Sequence, residues 1–245
     1  PMPKRRGTLQ VMFRTLDDGC RTIHTVLQSG VVPAAAEIMD RTCLEVVARH
    51  RKTELDPEIG ACIIIEIDGD DEAALETQTK RIGEAAKACG AVAFRAARSE
   101  QEADDIWAVR RGLSSAVAAL APNRIGEDIS VPRDAFPEVV RRIRGISEKH
   151  GLPIAVYGHA GDGNIHPSIL CDLGKPGEAE RVHQAVDDIF AAALAVGGTL
   201  SGEHGIGITK RPYIANALGD VGVRTLKAVK AALDPKGILN PGKIW

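Results

Sequence analysis

Short apolar runs alternate with helix-spaced stretches along nearly the whole chain, and glycine or proline stops most of them. The clearest run is 61–68, ACIIIEID, a β-branched strand closed by Gly69. Residues 8–14, 35–39, 92–97, 128–131, 153–158 and 167–171 read as further strands. Helical spacing covers 17–29, 41–50, 71–89, 100–121, 132–150, 178–196 and 221–233. Elements in this order bury their apolar faces by laying helices on a sheet. The expectation is an α+β fold: a mixed, largely antiparallel sheet with helices on one side, ferredoxin-like halves and a C-terminal helical segment. The whole chain, 1–245, reads as one domain with sub-halves at 8–121 and 122–245.

Composition removes several function classes. The net charge of -2 gives no basic field for nucleic acid, and 3% aromatic residues leave little for base stacking. Cys20, Cys43, Cys62, Cys89 and Cys171 are scattered, odd in number and never in a CxxC. They read as buried thiols of a cytoplasmic protein, with a peripheral place on the inner face of a membrane as an option. No apolar run approaches the roughly 18–20 residues needed to span a bilayer. The start, Pro1-Met2-Pro3-Lys4-Arg5-Arg6, has no signal-peptide core and no initiating Met, and reads as a piece of something longer. No GxGxxG follows a strand and no P-loop is present, so the chain carries no nucleotide fingerprint of its own.

Two imidazoles bracket a turn at 158–166, GHAGDGNIH. On one straight strand the odd separation of His159 and His166 puts them on opposite faces. A chain reversal within 160–165 instead makes them a facing pair across the ends of a hairpin, about 4.5–5.5 Å apart at Cβ. That suits two nitrogens meeting one ion at about 2.0–2.1 Å. Asp162 is explained by turn chemistry alone. The plain alternative is a polar hairpin with incidental histidines.

A second glycine-rich loop, 201–207, holds Glu203 beside His204. Adjacent residues cannot share one face of a regular element, which favours a division of labour. One side chain binds an ion while the other faces a substrate. Two His and one carboxylate leave open coordination positions, the pattern of a catalytic site, and a free His can act as a base near neutral pH. The bland reading is a helix-entry loop with Glu203 exposed. His24, His50, His150 and His183 fall on helix surfaces or ends and read as ordinary solvated or packed side chains.

At these motifs the chain resembles the C-terminal domain of FAD-linked oxidases of the vanillyl-alcohol-oxidase type. The nearest look is to the glycolate oxidase flavin subunit and D-lactate dehydrogenase branch. GHAGDGNIHP (158–167), SGEHGIGITKRPYI (201–214) and LDPKGILNPGK (233–243) carry the resemblance. SGVVPAAAEIMD (29–40), WAVRRGLSSA (107–116) and EDISVPRD (127–134) support it more weakly. The resemblance implies that His159, His166 and Glu203 bind a divalent metal (Zn, Mn or Fe) and that His204 takes the substrate hydroxyl proton. It also implies that Arg110 faces the substrate carboxylate, a role apt for a two-pronged guanidinium. Asn164 and the Asn240–Lys243 tail are implied to approach the flavin.

The implied reaction is oxidation of a small 2-hydroxy acid to a 2-keto acid with hydride transfer to FAD. The FAD-binding domain of that family is absent from this sequence. The expectation is therefore that it joins in cis or trans and that the chain alone is inactive. A homo-oligomer is compatible. Ser168 stands two residues after His166, where a 2-hydroxyglutarate-type relative is expected to carry Asn. Two other functions are compatible with the residues: a stand-alone metallohydrolase, and a binding module without catalysis.

Overall fold

The computed structural model describes residues 2–245. β1 (Arg5–Phe13), α1 (Leu16–Gln28), β2 (Ala35–Asp40), α2 (Arg41–Arg51), β3 (Ala61–Gly69), α3 (Glu72–Ala88) and β4 (Ala91–Ala96) form the first half. α4 (Glu100–Arg111) and α5 (Leu113–Ala118) lead to β5 (Asn123–Gly126) and β6 (Ile129–Ser130). α6 (Phe136–His150), β7 (Ile154–His159), β8 (Asn164–Cys171), α7 (Glu178–Leu194) and α8 (Ile214–Leu233) complete the chain.

One open sheet runs β4-β1-β3-β2-β7-β8-β5, with β6 also on β8 and every pairing antiparallel. In the first half β3 lies between β1 and β2, with β4 outside β1. The second half repeats the pattern: β8 lies between β5–β6 and β7. Its fourth strand is reduced to a bridge between Ser130 and Thr199. The two units join where β2 pairs with β7, with Glu37 directly opposite His159.

The sheet is covered on more than the one side expected. Alternate residues Val11, Phe13, Ile38, Ile63, Val156 and Ile165 pack with α1, α6 and α7. The same face continues under α3 through Leu9, Ile65 and Ile67. Met39, Cys62, Ile64, Ala155 and Tyr157 point the other way and meet α2, α4 and α5. The run in β3 is continuous because helices bury both of its faces.

Boundary differences have local causes. The stretch 100–121 is two helices, broken at Gly112. α6 begins at Phe136 because Pro132 caps a turn through Ala135 N–H donating to Pro132 O. β5 lies in residues to which the sequence pattern assigns no element, and only two residues of 128–131 are strand. α8 reaches back to Ile214 across a non-helical Gly219. All five cysteines are free and buried, and no helix among the described residues is long and apolar enough to cross a membrane.

Asp40 caps α2. One carboxylate oxygen accepts the Cys43 N–H at 2.9 Å and the other the Val156 N–H at 2.9 Å. Burial nevertheless raises its pKa from 3.8 to about 6, against the pull of those N–H groups. As pH rises from about 4 to 6 the unfolded chain ionises this group while the folded chain holds it protonated, so stability falls. The loss is on the order of 2 kcal/mol. Urea unfolding is expected to show it between pH 4 and 6.5 in the native chain and not in Asp40→Asn. Parallel pH profiles in the two chains would refute the assignment.

Candidate active site at the seam of the sheet

The strand period of two sorts the residues of β7 and β8 cleanly. Val156, Ile165 and Ile169 enter the α1–α6–α7 core. Tyr157, His159, Asn164, His166 and Ser168 point to the opposite face. There α2 and α5 no longer cover the sheet, and a polar cluster takes the space. Arg110 reaches in from α4, Glu37 from β2, and the 201–207 loop lies over the top.

The hairpin reverses more tightly than the facing-pair expectation requires. Residues 160–163 make the turn, so His159 pairs with Asn164 and Tyr157 with His166. The two histidines are diagonal neighbours on one face, with ring centroids 5.1 Å apart and planes at 90°. Gly163 has φ +87°, and a Cβ there would lie 2.1 Å from the Val131 carbonyl oxygen.

Asp128 builds the loop above the hairpin. It is fully buried between β5 and β6. Its Oδ2 accepts from the Ser201 hydroxyl at 2.7 Å and from the N–H groups of Gly202, Glu203 and His204 at 3.1, 3.1 and 2.8 Å. Burial pushes its carboxyl up, but the His204 N–H, the Ser201 hydroxyl and the Glu203 N–H bring it down to about 2. Lys210, also buried, donates to the carbonyls of Asp128 and Leu200, both at 2.7 Å, and so ties the loop to its floor. A Cβ on Gly202 would lie 2.5 Å from the Asn164 amide carbon, so the loop backbone rests directly on that side chain.

This arrangement hangs Glu203 over both histidines. Its Oε1 is 3.5 Å from His159 Nε2 and 3.4 Å from His166 Nε2. Each imidazole has a carboxylate on its other nitrogen. Glu37 hydrogen-bonds His159 Nδ1, and Asp128 Oδ1 lies 3.8 Å from His166 Nδ1. Burial, followed by the charge of His159, lowers the His166 pKa to about 4, which keeps the ring uncharged at neutral pH with one nitrogen lone pair free. The Glu37 hydrogen bond raises the His159 pKa against burial. Burial pushes Glu37 up, but His159 and Arg110 more than offset it and its carboxyl stays below the usual range.

The donor set fits a divalent ion. Four-coordinate metal–ligand bonds of about 2.0–2.1 Å imply ligand–ligand edges of about 3.4 Å, close to both Glu203 distances. Asp128, His166 and His204 form a second convergent group. Its carboxylate, however, already holds four donors through one oxygen and leaves Oδ1 buried without a hydrogen bond. The first group therefore fits an ion better, with Asp128 behind it.

The remaining expected residues are distributed as follows. His204 is exposed at the rim and stacks on His166, with centroids 5.5 Å apart and planes at 16°. Arg110 is not a surface charge: its Nε donates to Glu37 Oε2 at 2.6 Å and its Cζ lies 5.1 Å above the Tyr157 ring. Its Nη groups make no hydrogen bond among the described residues. Asn164 is buried beneath Gly202, with its Oδ1 unpaired. Asn240 is exposed in the tail at φ +47°, lining a cavity shared with Ile206 and Gly207. His24, His50 and His183 are exposed, and His150 is buried against Asp188 at 2.7 Å. Glu37, Asp128 and Lys210 were not singled out from sequence. The available signal was charge inside apolar stretches, as in AAEIMD and EDIS.

A family model described as FAD linked oxidases, C-terminal domain, matches residues 2–244. The glycolate oxidase subunit GlcD of Bacillus subtilis (strain 168) is 38% identical over all of this chain and 52% of its own length. GlcD of Escherichia coli (strain K12) is 32% identical over 99% of the chain and 48% of its length. The D-lactate dehydrogenase of Anaerostipes hadrus is 31% identical over all of the chain and 53% of its length. The chain thus spans about half the length of these curated relatives. Among solved structures, 4-ethylphenol oxidase from Gulosibacter chungangensis superposes with a TM-score of 0.75 at 22% identity, covering all of this chain and 55% of that one. p-Cresol methylhydroxylase gives 0.74 at 16% identity, covering all of this chain and 53% of that one. At these identities the likeness is one of fold.

Proposed function

The chain belongs to the C-terminal domain family of the FAD-linked oxidases, and from that premise we propose that it is the substrate- and metal-binding part of an FAD-dependent 2-hydroxy-acid dehydrogenase of glycolate or D-lactate type. The observation that carries this reading is the convergence of His159, His166 and Glu203, with His204 beside them and Arg110 behind. In this proposal 1–245 acts as one domain of two halves, 8–121 and 122–245, and the β2–β7 seam supports that division.

A bound ion would supply Lewis-acid polarisation of hydroxyl and carboxylate oxygens, and a bound flavin would supply the hydride acceptor. The chain's own residues do the rest. His159, His166 and Glu203 hold the ion. Arg110, anchored through Nε to Glu37, offers its two Nη groups to the substrate carboxylate. His204, at the open rim, takes the hydroxyl proton on a ring nitrogen. Its stacking on His166 holds the imidazole plane nearly parallel to a ligand that is itself fixed by the sheet. Asn164 supports the loop from below, and in this reading Asn164 and the tail around Asn240, which lines a cavity with Ile206 and Gly207, would approach the flavin. The FAD-binding domain acts in cis or trans.

Calorimetric titration with Mn²⁺ or Zn²⁺ tests the ion site directly. One strong site is expected, lost at least 100-fold in His159→Ala and in Glu203→Gln. The flavin-loaded enzyme is expected to oxidise glycolate or D-lactate, with His204→Ala retaining the metal and losing turnover by 100-fold or more. Metal binding indifferent to His159→Ala would sink the reading. So would ester hydrolysis by the metal-loaded chain alone that His159→Ala abolishes.

A further inference from the structure

The seam between the two halves has two ends. One carries the candidate active site, with Glu37 opposite His159. At the other, where β2 stops at Asp40 and β7 starts at Ile154, lies a cavity of about 520 Å³. Volumes of about 300–1,000 Å³ are those of small-molecule sites. The starts of α1 and α2 and the side of α6 form its walls, so both halves of the chain line it. No residue of the proposed oxidation is among them. β7, six residues long at about 3.3 Å each, separates it from the His159 end.

The charge of the lining is one-sided. Three guanidinium groups reach it from three elements: Arg14 just past β1, Arg41 in the first turn of α2, and Arg144 on α6. Among the described residues the one acid in the lining is Asp40, and N–H groups of Cys43 and Val156 already take both its oxygens. Each arginine has donors left over. Arg14 gives Nε and Nη2 to Glu58 at 3.1 and 2.7 Å, which leaves Nη1. Arg41 gives Nε to Glu45 and Nη1 to the carbonyls of Pro57 and Ile59 at 2.8 and 2.7 Å. Those bonds fix its plane and leave Nη2. Arg144 makes no ion pair and no hydrogen bond among the described residues, although its neighbours Arg141 and Arg142 pair with Asp17 and Glu138. The backbone beneath Arg14 is pinned as well, since a Cβ on Gly60 would lie 2.0 Å from the Arg14 carbonyl oxygen.

We infer that this cavity is a binding site for a small phosphate-bearing anion, held by Arg14, Arg41 and Arg144 across the seam. An anion takes the spare N–H groups and relieves the repulsion between three cations that face one space. The layout favours phosphate over carboxylate. A carboxylate is planar, and one forked guanidinium satisfies it. Donors arriving from three elements suit a tetrahedral group whose oxygens point in several directions. Thr42 adds a hydroxyl to the same wall. The occupant bridges α1 and α2 of the first half to α6 of the second, so it stabilises the folded chain by mass action. This site is independent of the proposed oxidation chemistry.

Calorimetric titration of the metal-free 245-residue chain with sodium pyrophosphate and with inorganic phosphate tests this, at an ionic strength of about 0.15 M. One saturable site is expected, weakened at least about tenfold in Arg144→Gln. Arg144 is exposed and holds no partner, so the exchange removes a charge without disturbing the fold. Arg142→Gln makes the same change in net charge on the same helix and is expected to leave the affinity within a factor of about two. Pyrophosphate is also expected to raise the unfolding temperature of the native chain more than that of Arg144→Gln. Mn²⁺ binding at His159, His166 and Glu203 is expected to be equal in the two chains, so the failure of either site leaves the other standing. Absence of saturable binding overturns the proposal, as does binding indifferent to Arg144→Gln. Equal losses in Arg142→Gln and Arg144→Gln overturn it too, because they mark a diffuse positive surface. Citrate bound more tightly than pyrophosphate overturns the assignment to phosphate. Pelleting with phosphatidic acid vesicles without any binding of pyrophosphate assigns the arginines to a membrane surface and overturns it equally.

Discussion

Asp128→Ala is expected to lose divalent-metal affinity by 100-fold or more, although Asp128 stands behind His166, 3.8 Å from its Nδ1, and outside the proposed ligand set. The side chain is fully buried, and one oxygen satisfies a hydroxyl and three consecutive backbone N–H groups. Alanine leaves those donors without an acceptor, and the Lys210 ammonium keeps Glu127 at 3.8 Å but loses the Asp128 carboxylate at 3.9 Å. Breaking a buried charged network of this kind costs about 3–5 kcal/mol, and each orphaned donor alone about 1–3 kcal/mol. The loop that positions Glu203 and His204 then keeps the Lys210 tie at the Leu200 carbonyl but loses the one acceptor of its 202–204 N–H groups, so it is expected to open before the domain unfolds. Thermal unfolding and Mn²⁺ titration on the same sample separate the two effects. A variant that unfolds at lower temperature yet binds Mn²⁺ like the native chain would show that the loop is held by other contacts. Acid is expected to mimic the substitution. The carboxyl lies at about 2, below its ordinary 3.8, so its stabilisation is full above about 4 and disappears as pH falls through 2.

The part of this molecule that sequence makes legible is local. Strand–helix alternation, the glycine stops and the β-branched run of β3 reflect forces that act within a few residues, and those elements lie close to where their patterns place them. The uninterrupted ACIIIEI run also carried a signal for two buried faces, which the one-sided expectation passed over. The residues proposed as metal ligands were legible because two imidazoles bracket one glycine-rich turn and a carboxylate stands in a second glycine-rich loop. What supports them was not. Glu37 and His159 are 122 residues apart, and Asp128 and Ser201 are 73 apart. Their pairing exists only once β2 has met β7 and β6 has been laid beside the start of β8. No periodicity reports a contact made across two halves of a sheet. A lone acid in an apolar strand does report that something must pair with it inside, and both Glu37 and Asp128 meet that description.

Glu37 gives the sharpest division between holding the ion and holding the substrate. Its two oxygens are spent on different partners: Oε1 on His159 Nδ1 and Oε2 on the Arg110 Nε at 2.6 Å. A proton on Nδ1 fixes the tautomer whose Nε2 lone pair faces Glu203 and His166. Outer carboxylates of this kind are worth about 10–100-fold in metal affinity. Glu37→Gln keeps the volume but removes the charge, and its amide turns an N–H group toward one of two donors. Mn²⁺ affinity is expected to fall about 10–100-fold, and the KM for glycolate or D-lactate to rise with it as Arg110 loses its anchor. Arg110→Lys is expected to raise KM at least tenfold while leaving Mn²⁺ affinity within a factor of about two, since an ammonium cannot reproduce the forked grip. A purely structural role for Glu37 would lower the unfolding temperature and move neither constant. Coupling is the stricter criterion. If Glu37 joins the ion ligand to the substrate anchor, adding Arg110→Lys to Glu37→Gln raises KM by less than the product of the two single effects. Independent, multiplicative effects would place Glu37 with His159 alone.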